Sequence, residues 1–210
     1  MALDKGVAVV DAWAAVALGA VREGAEIDVS VYYDAIIGIT CALGGTTAHL
    51  GTEIVVELNL AASGNANWRR FSSVVACVAT AFKSDFAGDA AAGQTVLSVT
   101  NPAAGNLDHL FKNIFILNGA DVTHSEIGYL VAQSGDAGDT ITVQNGLTFA
   151  QTSADSDVYT CDGANVSAVY SAIVAVPPGA KRARILYNNG YGATGSTVYT
   201  CADISGITAV

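Results

Sequence analysis

Short alternating strands, separated by turn residues at nearly regular intervals, fill the stretch 94–160. Successive side chains of a strand point to opposite faces, so alternating apolar and polar residues mark strands with one buried face. Clusters of Gly, Asn and Asp mark the turns between them. The pattern predicts a compact β module with strands at 95–99, 113–117, 126–133, 139–144 and 156–161.

A second strand-rich pattern surrounds this module. It begins near Ile27 and resumes after Cys161, with predicted strands at 27–33, 35–43, 53–60, 68–82, 166–176, 182–190 and 196–204. No βαβ rhythm is present, and this number of strands is typical of an antiparallel sandwich. The chain is therefore predicted to be all-β, an antiparallel β-sandwich with an inserted small barrel-like domain. The expected boundaries are 1–25 for an N-terminal arm, 26–84 plus 162–210 for the outer sandwich, and 85–161 for the insert.

The first 25 residues allow two interpretations. Alanine favours a helix over AVVDAWAAVALGAV, whereas the valines and Gly19 favour an extended arm. Arms of this kind often lie across a neighbouring subunit, so this segment is a candidate for an assembly contact.

Charge is scarce in this chain. Charged residues are 13% of the sequence and hydrophobic residues are 51%, which is about half the charged share of ordinary soluble domains. We therefore expect part of the surface to be covered by other copies or another protein.

The net charge of −10 argues against a nucleic-acid partner. No apolar run reaches the roughly 18 residues that span a bilayer, and no secretion signal is recognisable. The sequence thus predicts no membrane association and synthesis in the cytoplasm.

One local basic strip follows the turn Pro177–Gly179. Its residues, Lys181, Arg182 and Arg184, are interpreted as the exposed start of a strand, with a phosphate or acidic-partner contact as the alternative. The full set of candidate interface residues is Trp13, Arg22, Lys181, Arg182, Arg184, Tyr187 and Tyr191.

The motifs of common catalytic sites are missing from the sequence. It contains no phosphate-binding glycine loop opening a helix, no nucleophile elbow, and no Cys beside a His. His124 and Glu126 lack a third ligand, and the acidic loop at 154–157 lacks the order that calcium loops require. The four cysteines, at 41, 77, 161 and 201, are far apart and are predicted to be reduced core thiols. We expect no enzyme activity, no metal and no cofactor.

The insert and its flanks resemble a module of the virion structural proteins of tailed bacteriophages. The segments that carry the resemblance in the insert are Gly93–Leu97, Ile114–Leu117, Ser125–Ile127 and Thr140–Val143. Flanking segments are also similar, and they are Gly24–Ser30, Gly51–Ile54, Asn67–Trp68, Arg182–Ile185 and Asn188–Asn189. The resemblance extends over most of the chain from Glu23 to Ile204. It implies a β-sandwich subunit of a phage particle without an activity of its own.

Three functional hypotheses follow. The first is a capsid cement or decoration protein that stabilises the head shell, located in the virion. Its partners would be the major capsid protein or other virion subunits, with homo-oligomer formation expected. The second is a head–tail connector, neck or tail structural protein. The third, from another class, is a carbohydrate-binding β-sandwich module, which would require exposed aromatic side chains.

Overall fold

The computed structural model describes residues 3–43, 49–64, 66–78, 81–100, 113–133, 140–161, 169–189 and 197–209. Fifteen strands and one short 3-10 helix (Val122–His124) form this part of the chain. The strands are β1 (Leu3–Val16), β2 (Val21–Glu23), β3 (Ile27–Asp28), β4 (Tyr32–Leu43), β5 (His49–Asn59), β6 (Arg69–Val78), β7 (Ala81–Asp85), β8 (Val96–Ser98), β9 (Asn113–Asn118), β10 (Glu126–Gln133), β11 (Thr140–Val143), β12 (Ser156–Cys161), β13 (Val169–Val176), β14 (Arg182–Asn188) and β15 (Val198–Ala209).

Two antiparallel sheets make the outer sandwich. The first sheet has the order β1-β15-β4-β13, and the second has the order β2-β14-β5-β6 with β3 also paired to β14. Alternate residues of their strands point inward because side chains alternate across a strand. The shared core includes Ile37 and Ile39 of the first sheet and Ile54, Val56 and Ile185 of the second, all nearly inaccessible to solvent.

The inserted unit is a third antiparallel sheet with the order β7-β12-β9-β10-β11-β8. An isolated bridge between Phe86 and Val99 joins the chain just beyond β7 to the chain just beyond β8, so the sheet curls towards closure. Its interior holds a separate apolar cluster that includes Leu97, Ile116 and Ile141. These observations confirm the predicted fold class, an antiparallel sandwich with an inserted barrel-like sheet.

Strand β9 joins the two units because both of its faces are buried. Ile114 and Ile116 point into the barrel, whereas Phe115 and Leu117 belong to the core of the sandwich. The ring of Phe115 lies 5.0 Å from that of Trp13 and 5.4 Å from that of Tyr199, measured between centroids. The barrel therefore docks on the first sheet through aromatic side chains.

The N-terminal segment is extended, as in the second of its two sequence-based interpretations, and it is not a helix. Residues Leu3–Val16 form β1, which pairs with β15 of the same chain along its length, with two register shifts. In the structure this segment is the edge strand of the first sheet. Its β-branched valines favour a strand, and pairing with β15 outweighs the helical preference of its alanines.

Two predicted strands have different bounds in the structure. The alternation over 27–33 is interrupted, because the Asp28 carboxylate accepts hydrogen bonds from the backbone N–H and the hydroxyl of Ser30 and forms a turn. The predicted single strand at 68–82 is divided into β6, in the second sheet, and β7, in the barrel. The barrel sheet therefore begins at Ala81, within the segment that the sequence assigned to the outer domain.

Candidate assembly surface

Arg182 and Arg184, predicted as part of a basic contact strip, are engaged by their own chain. The Arg182 guanidinium binds the Glu26 carboxylate at 2.6 Å and donates to the Ala61 carbonyl at 3.0 Å. Arg184 binds Glu57 at 2.7 Å and Glu23 at 2.6 Å. Both guanidinium groups are thus committed to intramolecular pairs, whereas Lys181 next to them is exposed.

Trp68 lies under these two arginines. The guanidinium carbons of Arg182 and Arg184 are 5.0 Å and 4.5 Å from the centre of its ring. Stacking of this kind stabilises each cation on the aromatic face. The Trp68 ring is therefore part of an internal stack on the second sheet and does not present an open platform for a sugar.

We expect the substitution Trp68→Ala to lower the free energy of unfolding by about 3 kcal/mol, because packing and two cation–π contacts are lost together. Trp68→Phe is the matched control. It keeps an aromatic face and removes a buried Nε1 group that has no hydrogen-bond partner among the described residues, so we expect a loss of less than about 1 kcal/mol. Urea denaturation measures both values. A midpoint unchanged by Trp68→Ala would show that the stack does not stabilise the fold.

Arg22 and Tyr187, two further predicted interface residues, lie inside the sandwich. Arg22 donates to both oxygens of the Asp11 carboxylate at 2.9 and 2.8 Å and to the Thr200 hydroxyl at 2.6 Å. Its guanidinium covers the ring of Tyr187 at 4.5 Å. Tyr187 is fully buried, and its burial, together with the charge of Asp11, raises the pKa of its hydroxyl. Its ring is consequently unavailable at the surface, and Tyr191 lies outside the described residues.

The outer face of the second sheet is charged. Opposite charges pair across its strands, where Arg184 contacts Glu57 and Glu23, and Arg70 contacts Glu53. Charged side chains remain hydrated at little cost, so a face of this kind is suited to solvent.

The outer face of the first sheet is different, because two neighbouring rows in its centre hold a single charged residue. The strand register places Val9, Asp203, Gly38 and Ile173 side by side in one row across the four strands. The next row contains Val7, Ser205, Ile36 and Ala175. We call these eight residues the first-sheet face. Val7, Val9 and Ile173 are 71%, 75% and 74% exposed, and Asp203 supplies the only charge.

A groove of about 460 Å³ lies where the first-sheet face meets the barrel. The sheet contributes Val9, Trp13, Gly38, Cys201 and Asp203, and the barrel unit contributes Thr123, Glu126, Ile127, Thr148 and Phe149. Trp13 is thus the predicted interface residue that borders this groove.

The barrel wall of the groove is held by hydrogen bonds and a ring stack. The Glu126 carboxylate accepts hydrogen bonds from the backbone N–H groups of Thr148 at 2.8 Å and Phe149 at 3.3 Å. The ring of Phe149 stacks on that of His124 with centroids 4.4 Å apart. Glu126 therefore fixes the loop that carries Thr148 and Phe149, and its own oxygens are occupied.

Gly38 has a specific role at the bottom of the groove. A Cβ atom at this position would approach the Asp203 Oδ1 atom to 2.2 Å. Because glycine has no side chain, the carboxylate can lie against the strand backbone. A glycine inside a strand often marks such a close approach, so Gly38 within AIIGITCAL was a sequence signal for a close contact on this strand, but not for its partner.

The described residues contain neither a cluster of metal-ligating side chains nor a thiol with a lowered pKa. No group of three or more His, Cys, Asp and Glu side chains there could hold a metal ion. Cys41 and Cys201 are free thiols, and burial raises the pKa of each to about 12, so neither is a ready nucleophile. Cys77 and Cys161 are in β6 and β12, but their side chains are outside the described set.

None of the described residues forms a helix with the length and apolar character needed to cross a bilayer.

Comparison with known proteins gives little further information. No family model matches this chain, and no curated protein matches it. Among solved structures, the chain is weakly similar to that of infectious bursal disease virus Gx strain, with a TM-score of 0.24, 8% identity, and coverage of 100% of this chain and 43% of that one. For the VP2 subviral particle of the same virus, the TM-score is 0.23, the identity is 12%, and the coverages are 99% and 42%. The chain spans less than half the length of these viral proteins. TM-scores this low do not show a shared fold, and no functional conclusion follows from them.

Proposed function

We propose that this chain is a non-enzymatic structural subunit of a virus particle, and more specifically a cement or decoration protein on the head shell of a tailed bacteriophage. Its partners would be the major capsid protein or other virion subunits. The observation that carries the proposal is the contrast between the two outer faces of the sandwich. One carries the ion pairs of Arg184 and Arg70, and the two central rows of the other expose Val7, Val9 and Ile173 around the carboxylate of Asp203.

The energetics favour burial of the first-sheet face in an assembly. Exposed apolar area costs about 25 cal/mol per Å² relative to buried area, so contact with another subunit would stabilise both partners. A shell offers the same contact many times over, and repeated weak contacts give strong total binding. The net charge of −10 suits the outside of a particle better than a surface that faces packaged nucleic acid.

The sequence resemblance to tailed-phage virion proteins supports the choice of particle. The segments that carry it include Ile114–Leu117 and Thr140–Val143, which lie in β9 and β11 of the barrel sheet. The resemblance thus concerns the barrel as well as the sandwich.

Immunogold electron microscopy tests the proposal directly. Antibodies raised against the purified chain are applied to gradient-purified particles from the culture in which the gene is expressed. We expect many labels distributed over the head surface. A single label at the junction of head and tail would instead favour a connector or neck protein, and particles that lack the chain would overturn a structural role.

A further inference from the structure

We propose that the groove between the first-sheet face and the barrel binds a basic, extended segment of another virion subunit, with a lysine or arginine side chain seated against Asp203. The inference rests on the proposed structural function and goes further by naming the site and the chemistry of the partner.

The shape of the groove continues across the sheet. The 460 Å³ cavity shares Gly38, Thr40 and Asp203 with a second depression of about 220 Å³ that reaches Ile173 and Ser205. A third depression beside it contains Asp34 and Ile207 and shares Ile36 and Ser205 with the second. Together they form a shallow channel that crosses β15, β4 and β13, a shape suited to an extended chain.

The charged side chains that line this channel, among the residues whose side chains the structure describes, are carboxylates. They are Glu126, Asp203 and Asp34, and no lysine or arginine is in this set. Glu126 is occupied by backbone N–H groups, whereas Asp203 is exposed and forms no hydrogen bond or ion pair with the described residues. An unpaired carboxylate among apolar neighbours is complementary to a cationic side chain.

The walls fit the rest of such a side chain. Val9, Trp13 and Ile127 line the cavity beside Asp203, and Ile173 extends the apolar surface on the other side. Lysine and arginine have long apolar stems that pack on surfaces of this kind while the charged head reaches a carboxylate. Apolar residues of the same extended segment, spaced by two, would contact the exposed valines and isoleucine.

A peptide titration tests this inference with the full chain. The probe is a short acetylated peptide that alternates lysine with valine, and the matched probe has glutamate in place of each lysine. Trp68→Phe provides the background, because Trp13 is then the sole tryptophan and its fluorescence reports on the groove. We expect the lysine peptide to change this fluorescence with saturation, and the glutamate peptide to leave it unchanged.

Substitution of the carboxylate makes the test specific. Asp203→Asn keeps the size of the exposed side chain, so the thermal midpoint should be retained while the lysine peptide binds roughly tenfold more weakly and its binding loses most of its salt dependence. Asp155→Asn, at an exposed carboxylate of the barrel unit, is the control and should bind as the background does. Equal affinity for the two peptides, no saturable binding, or full affinity in Asp203→Asn would each overturn the inference.

Light scattering on the chain alone separates a foreign segment from a second copy. We expect a mass that Asp203→Asn does not change. A discrete oligomer that Asp203→Asn dissociates would overturn the assignment to another subunit, because the channel would then be an interface between copies. Neither result alters the immunogold test of the structural function, so the two proposals fail independently.

Discussion

Replacing Phe115 by alanine is expected to separate the unfolding of the barrel from that of the sandwich and to cost about 3–5 kcal/mol. Phe115 is fully buried between the two units. Its ring lies 5.0 Å from Trp13, 6.3 Å from Tyr159 and 5.4 Å from Tyr199. Aromatic pairs at these distances contribute beyond the area they bury, so a single truncation removes the centre of the docking contact.

The neighbouring residue provides the control. Ile116 follows Phe115 in β9 but points into the barrel, where it is equally buried. Ile116→Ala should cost about 2–5 kcal/mol by leaving a cavity in the barrel, while the aromatic contact with the sandwich remains. We therefore expect Phe115→Ala to broaden or divide the calorimetric transition, and Ile116→Ala to shift it to lower temperature as a whole. A single sharp transition in both variants would contradict the idea that Phe115 couples the units.

The positions of most strands could be predicted because the relevant information is local. Alternation over EIGYLVAQ and the turn residues around it mark β10 without reference to other strands. The failures have two kinds of cause, one local and one long-range. One hydrogen-bonded turn at Asp28 and Ser30 ends β3 after two residues. The N-terminal alanines are compatible with helix, and only pairing with β15, nearly two hundred residues away, makes that segment a strand.

The candidate site could not be predicted, since strand register brings it together. Val9, Gly38, Ile173 and Asp203 belong to four strands, and their row exists only because β1, β15, β4 and β13 align at one register. The sequence shows that the strip at 181–184 is basic. It does not show that Glu23, Glu26 and Glu57 bind the two arginines of this strip. Which side chains form a site at the surface therefore depends on strand pairing and ion pairs between residues that are far apart in the sequence.

Replacing Arg22 by methionine is expected to destabilise the sandwich by about 3 kcal/mol. The side chains of Arg22 and Asp11 are only 20% and 11% exposed, and they form a bidentate pair. Loss of the arginine leaves a nearly buried carboxylate without its partner, which is costly because charge is poorly solvated there. The Thr200 hydroxyl also loses its donor. Arg22 lies in β2 and Asp11 in β1, so the pair joins the two sheets.

The double variant Arg22→Met with Asp11→Asn distinguishes charge burial from packing. Since it removes both charges, we expect it to recover more than half of the lost stability, because replacing a whole buried pair is often nearly neutral. Arg70→Met is the matched control at the Arg70–Glu53 pair, where the arginine side chain is 56% exposed, and its cost should stay below about 1 kcal/mol. Urea unfolding of all variants provides the comparison. If Arg22→Met costs no more than Arg70→Met, or if the double variant is less stable than the single one, the pair does not stabilise the sandwich in the way that a buried charge pair does.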